Sequence, residues 1–479
     1  MIGLKYAGQQ FIGGKWVSST SPDRIPVENP ATTEVLAEVA AGSSADAAAA
    51  VAAARASFPA WAATSLDERI AIVTAAARLL EADADEIAET ITAELGSPLS
   101  QTKATQVGRS VEVLDSLARA ARKVEWSSQI GATAVYREPV GVVVAITPWN
   151  FPLHQAVAKV GAALVAGCTV ILKPSEMAPL NTYALADAFA AAGLPAGALN
   201  IVTGRGDMVG EALVEARDVD AVSFTGSTAV GRRIAATGAA TIKRVSLELG
   251  GKGPSIALPD ADIAAVAKAT AARCFGNSGQ VCASLTRLLV PSDRVAEAEA
   301  AAAKFADALT VGDPMDDATV MGPVISGAHR DRVRGYIEKG LDEGARLVTG
   351  GLDAEVPAGG HYVAATVFSD VTPSMTIARE EIFGPVLSII GYASVDEAVD
   401  IANDSDYGLV GAVWGADAPE IARRLRVGLV GVNGGRLNVD APFGGYKQSG
   451  YGREFGVHGI EEFLEIKSAN YTAEADVVL

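Results

Sequence analysis

The sequence predicts an α/β protein organised around a doubly wound parallel sheet. Five short apolar runs rich in β-branched residues, at 140–146, 169–172, 199–202, 221–224 and 245–249, carry that reading. They lack the polar–apolar alternation of half-exposed strands, which fits burial on both faces. Stretches with helical periodicity separate them, such as 180–192 and 230–237, at intervals of roughly 22–30 residues. Ligands of such sheets sit at the carboxyl ends of the strands, so the residues following each run are the first candidates for chemistry.

The other elements follow in order. Residues 11–40 read as short strands punctuated by Gly13-Gly14 and Asn29-Pro30. Residues 43–95 are Ala-rich, with Leu and Ile at helical spacing and Ser or Asp near the starts, so they read as helices. Residues 119–139 carry little helical signal; 124–126 and 134–136 look extended, flanking Gly131, before Pro139 breaks the run. After the five-strand series a second α/β series runs from about 256 to 435, with the boundary near the Gly250-Gly251 turn. At 479 residues the chain is long for one core, so two or three domains are expected.

Composition narrows the function classes. Apolar residues make up 49% and charged residues 20%, the balance of a folded globular chain. With 39 basic and 57 acidic residues the formal charge is −18, which argues against nucleic acid and membrane surfaces as partners. Cys168, Cys274 and Cys282 form no CxxC pair, and His154, His329, His361 and His458 have no zinc-like spacing. Neither a disulfide framework nor a metal site is expected. There is no leader-like start and no apolar stretch near the roughly 20 residues of a membrane helix, so a cytoplasmic protein is expected.

Chemistry-bearing residues follow the strands. Thr147-Pro148-Trp149-Asn150-Phe151-Pro152 is a rigid loop whose Asn amide could donate to an oxyanion, or simply cap the next helix. Lys173-Pro174-Ser175-Glu176 sets a Lys and a Glu where they could hold ribose hydroxyls, or form a solvated turn. Phe224-Thr225-Gly226-Ser227, with Gly231 beyond, brings glycine to a helix start where a pyrophosphate could approach, though it is not the GxGxxG fingerprint. Glu248, in Leu247-Glu248-Leu249-Gly250-Gly251-Lys252, lies in an apolar run; burial there would raise its pKa towards that of a general base, and a charge reaching solvent is the alternative. Cys282, in Asn277-Ser278-Gly279-Gln280-Val281-Cys282, sits in a Gly-containing turn at a possible helix start, where backbone N–H groups would favour a thiolate. Singly, each segment has an ordinary structural explanation.

Taken in order, with Glu380-Glu381-Ile382-Phe383-Gly384-Pro385 and Pro442-Phe443-Gly444-Gly445-Tyr446-Lys447, these segments resemble the aldehyde dehydrogenase superfamily over about residues 11–467. The resemblance implies that Cys282 is the nucleophile and that the Asn150 amide and the Cys282 backbone N–H hold an oxyanion. It makes Glu248 the base for thioester hydrolysis, with Lys159 and Glu454 in a proton relay. Lys173 and Glu176 would hold the adenosine ribose, Gly226 and Ser227 the pyrophosphate, and Glu381 with Phe383 the nicotinamide end, with Ser175 a further cofactor-binding residue. Ile146, Thr147, Pro148, Trp149, Gly206, Gly210, Phe224, Leu249, Gly250 and His329 would complete the cofactor site. His329 departs from the Gln of many relatives. Phe151, His154, Ala158, Val281, Leu437 and Phe443 would line the substrate pocket; Ala158 and Gly276 are small where relatives are bulkier, which implies a wide pocket. Arg436 is either a carboxylate-recognising residue or an exposed loop side chain.

The implied cofactor is NAD in preference to NADP, because Glu176 should repel a 2′-phosphate. The implied partner is a small aldehyde. The resemblance divides the chain into a cofactor domain (1–118 with 139–250), a catalytic domain (251–450) and an oligomerisation arm (119–138 with 463–479) of a homodimer or homotetramer. Two alternatives stay open: a coenzyme A-acylating semialdehyde dehydrogenase, whose relatives usually lack the Glu, and a non-catalytic NAD-binding protein of the same fold.

Overall fold

A computed structural model describes residues 4–479; the first three residues of the expected cofactor domain lie outside it. The five runs form parallel strands, Val142–Ile146, Thr169–Lys173, Leu199–Ile201, Ala221–Thr225 and Arg244–Glu248. Counted in chain order from one to five, they lie across the sheet as 3-2-1-4-5. The order reverses beside Val142–Ile146, where a crevice opens between connections leaving in opposite directions. Every residue of the first, second and fourth strands is buried, which explains the missing alternation. Three further strands extend the sheet to eight: Gln9–Ile12 with Lys15–Ser18 at one edge and Gly450–Tyr451 at the other.

The Ala-rich segment folds as Ser44–Ala62, Leu66–Ala82 and Ala84–Leu95. Ser43 starts the first with a reciprocal cap: its hydroxyl accepts from the Asp46 N–H, while Asp46 accepts from the Ser43 N–H at 3.0 Å. A second sheet of seven strands carries the later part of the chain, beginning at Gly253–Ala257, slightly earlier than about 256.

Two local expectations are corrected. Residues 119–121 finish the helix Arg109–Ala121, and the first arm strand is Ser127–Ile130 rather than 124–126. Polar Ser and Gln fill that strand, so apolar content misplaced it. The second, Thr133–Pro139, pairs antiparallel with Ser127–Ile130 on one side and Leu464–Asn470 on the other, making a three-stranded sheet. Among the described residues no helix is long and apolar enough to cross a membrane.

Candidate active site

Two adjoining clefts open at the carboxyl ends of the first sheet. The larger, about 450 Å³, is lined by Ile146, Thr147, Pro148, Trp149, Lys173, Ser175, Glu176, Gly206, Gly210, Phe224, Gly226 and Ser227. The smaller, about 310 Å³, is lined by Asn150, Leu249, Gly250, Cys282, His329, Glu381 and Phe383. Pro148, Trp149, Thr225, Gly226 and Ser227 border both. At that junction Ser227 caps the helix Thr228–Ala239, so its free N–H groups face the passage between the clefts. A dinucleotide fits this layout: one cleft per nucleotide half, with the pyrophosphate at a helix start.

In the larger cleft Lys173 Nζ lies 3.1 Å from Glu176 Oε2. Arg205 and Arg233, which sequence reasoning missed, also line it, paired with Asp207 at 3.2 Å and Glu211 at 3.1 Å. Arg205 follows the third strand, so its place at a strand end was the available signal. In the smaller cleft His329 Nε2 hydrogen-bonds the Phe383 carbonyl at 2.7 Å, and its ring stands edge-on to Trp149, centroids 5.4 Å apart. Burial holds that imidazole below its ordinary pKa. Glu381 accepts from the Gly251 N–H at 2.9 Å, and burial pushes its carboxyl up to about 6. A side chain at Gly250 would collide with that carboxylate, its Cβ 2.2 Å from Oε2.

Cys282 sits between the 3₁₀ turn Gly276–Gly279 and the strand Leu285–Pro291; the expected helix start is absent. Asn277 and Ser278 have φ of 49° and 56°, and Gly279 follows at 75°. Three consecutive left-handed residues are costly unless the surroundings enforce them. Here a Cβ on Gly279 would stand 2.0 Å from the Gly384 carbonyl carbon. With no helix N-terminus behind it, the sulfur gains no help from a dipole. Burial, followed by Glu381, Glu248 and Glu454, pushes the thiol up to about 12.

Asn150 lies beside this turn: its Nδ2 donates to the Gln280 carbonyl at 2.8 Å. Glu248 ends the fifth strand, 3% exposed, with neither carboxyl oxygen hydrogen-bonded. Burial, and then Glu454, raise its pKa well above the usual value, while Lys159 opposes them. Lys159 and Glu454 form a buried ion pair at 2.5 Å. Glu248 does not itself line the smaller cleft; its Oε1 rests against Gly444, where a Cβ would be 2.7 Å away.

The six expected substrate-pocket residues line neither cleft. His154 is 6% exposed and packs between Phe151 and Phe455, with centroids 6.3 and 5.6 Å away, and Phe455 continues to Phe443 at 5.9 Å. Burial, with Arg109 and Lys159, pushes His154 down to about 3, so it serves as a neutral wall. Ala158 is buried one turn further along the helix Pro152–Ala166. Val281 and Leu437 are half-buried, and Arg436 is exposed. A Cβ on Gly276 would meet nothing within 4 Å. Phe455 was missed; its φ of 68° leaves no trace in composition or periodicity.

The fold and clefts thus define a parallel-sheet dinucleotide-binding architecture with a thiol in its crevice. The model of the aldehyde dehydrogenase family matches residues 16–469. A 3-succinoylsemialdehyde-pyridine dehydrogenase from Pseudomonas sp. is 44% identical, covering 96% of this chain and 97% of its own. A cysteine-to-alanine mutant of aldehyde dehydrogenase C from Pseudomonas syringae, complexed with NAD+ and octanal, superposes with a TM-score of 0.97 at 46% identity, covering 100% and 99% of the two chains. The Mycobacterium tuberculosis aldehyde dehydrogenase complexed with NAD+ gives 0.96 at 43%, covering 98% and 99%. The chain belongs to the aldehyde dehydrogenase family, whose reaction is the oxidation of aldehydes.

Proposed function

We propose that this enzyme oxidises a small aldehyde to the free carboxylic acid, with NAD as cofactor, through a thioester on Cys282. The observation that carries the reading is the meeting of three groups: the Cys282 sulfur in the smaller cleft, the Asn150 amide beside it, and the unpartnered Glu248 carboxyl close enough to influence the thiol. NAD+ in two close structural neighbours supports the cofactor, and octanal in one supports the substrate class.

Once its thiol proton has been released to solvent, Cys282 attacks the carbonyl carbon as a thiolate, giving a tetrahedral thiohemiacetal. The charge that develops on the carbonyl oxygen is held by the Asn150 amide and the Cys282 backbone N–H. Held in the two clefts, with Glu176 at the ribose and Glu381 and Phe383 at the nicotinamide end, NAD would supply the acceptor for the hydride on this carbon. Glu248 then takes a proton from water, which attacks the thioester and releases the acid and the Cys282 sulfur. The Lys159–Glu454 pair gives that proton a buried route. Glu176 would hold a ribose hydroxyl and repel a 2′-phosphate, hence NAD over NADP.

The chain is further read as a cofactor domain (1–118 with 139–250), a catalytic domain (251–450) and an arm (119–138 with 463–479). Ile130 and Ile466 are 71% and 68% exposed on the arm strands, a surface suited to a second copy in a homodimer or homotetramer. Turnover with NAD across an aldehyde panel, with and without coenzyme A, tests the reading. Hydrolysis requires a rate indifferent to coenzyme A, and acceleration by coenzyme A would favour acyl transfer.

A further inference from the structure

We propose that Gln106 and Asn277 are positioning residues that clamp the Asn150 main chain and thereby aim its side-chain amide at the reacting oxygen. The inference rests on the oxyanion role of Asn150 proposed above.

Gln106 lies in a π-helical turn, Lys103–Gly108, set between Leu99–Thr102 and Arg109–Ala121. Such turns are rare and recur at functional sites. This one brings Gln106, fully buried, against the loop after the first strand, where its Nε2 donates to the Asn150 carbonyl at 3.0 Å. Its Oε1 has no partner, so this donation is the amide's one hydrogen bond among the described residues. From the other side Asn277, held left-handed at φ 49°, donates to the same carbonyl at 3.0 Å. Its Nδ2 also reaches the Gln280 carbonyl at 3.4 Å, the oxygen that accepts from Asn150 Nδ2 at 2.8 Å.

Two donors saturate the Asn150 carbonyl. One N–H of its side-chain amide is fixed on Gln280, which leaves the other for an oxyanion. Two distant pieces of chain therefore close on one residue, and both use irregular backbone to do so. A network aimed at a main-chain carbonyl fixes the direction of the side chain beyond it, and small errors of aim at a reacting centre cost rate.

The test compares NADH burst rate, NAD affinity and melting temperature across pH for Gln106→Met, Gln106→Glu and Asn277→Gly. Gln106→Met keeps the shape without the donor, and its burst should slow about tenfold while NAD affinity and melting temperature stay near wild type. Asn277→Gly keeps the left-handed turn and should slow the burst similarly. The carboxyl that Gln106→Glu introduces donates only when protonated, so that variant's burst rate relative to wild type should climb as pH falls, whereas the Gln106→Met ratio stays flat. A Gln106→Met burst within twofold of wild type, or ratios equally flat for both Gln106 variants, overturns the clamp. Asn150→Ala separates the layers: if it too keeps its burst, the oxyanion role itself fails, and if it alone loses the burst, only the clamp does.

Discussion

Beside the Cys282 sulfur the Asn150 residue is tied down, with two donors on its carbonyl and one amide N–H on Gln280. The Glu248 carboxyl, in turn, is buried and makes no hydrogen bond, and Oε2 of Glu454 is also unpartnered. Buried polar groups are normally satisfied, so the contrast separates two tasks. A group that stabilises charge works best when fixed beforehand. A base that takes a proton from water must be free to turn between the water and a relay, and an unbonded carboxyl with a raised pKa is in that state.

The largest effect is expected at the sulfur. Cys282→Ala should lower turnover by roughly a thousandfold or more, with NAD binding measured by fluorescence unchanged. Retained turnover would remove the thioester from the mechanism. Next comes the loose side. Lys159→Met strands Glu454 as a buried unpaired acid, expected to cost roughly 3–5 kcal/mol of stability, read as a lowered melting temperature. Because Lys159 opposes the rise in the Glu248 pKa, its loss should also move the pH–rate profile of deacylation to higher pH. An unmoved profile would detach Lys159 from the base.

The pH dependence of the native enzyme sharpens the same contrast. Burial raises both groups, Cys282 to about 12 and Glu248 well above the usual carboxyl value, so each gives up its proton at a higher pH than the free group would. Alkylation of Cys282 by iodoacetamide, without cofactor, should therefore still be accelerating at alkaline pH. A plateau below pH 8 would show a sulfur less desolvated than its surroundings imply. Away from the sulfur, Glu176→Ala should narrow the preference for NAD over NADP about tenfold by removing a like charge from the 2′-position. An unchanged kcat/KM ratio would leave the preference to Arg205 and its neighbours.

Legibility in the sequence followed the same divide. The strands and the residues at their ends were readable because buried parallel strands leave short apolar runs, and glycines and prolines mark the connections. Every expected cofactor residue lines one of the two clefts. The irregular backbone was not readable. Gln106 depends on one widened helical turn, Phe455 on a positive φ, and the turn before Cys282 looked like a helix start. The arm strand Ser127–Ile130 was misplaced because register, not apolar content, defines it. Whether Glu248 was partnered or bare could not be read from an apolar run, since either state looks the same in sequence.

The most direct measurement is mass spectrometry of Glu248→Gln mixed with NAD and an aldehyde. With acylation intact and hydrolysis disabled, one equivalent of NADH should appear in a burst. The acyl mass should then remain on the peptide carrying Cys282. Continuous turnover at the native rate, or a burst with no adduct on that cysteine, would contradict hydrolysis of a Cys282 thioester by Glu248.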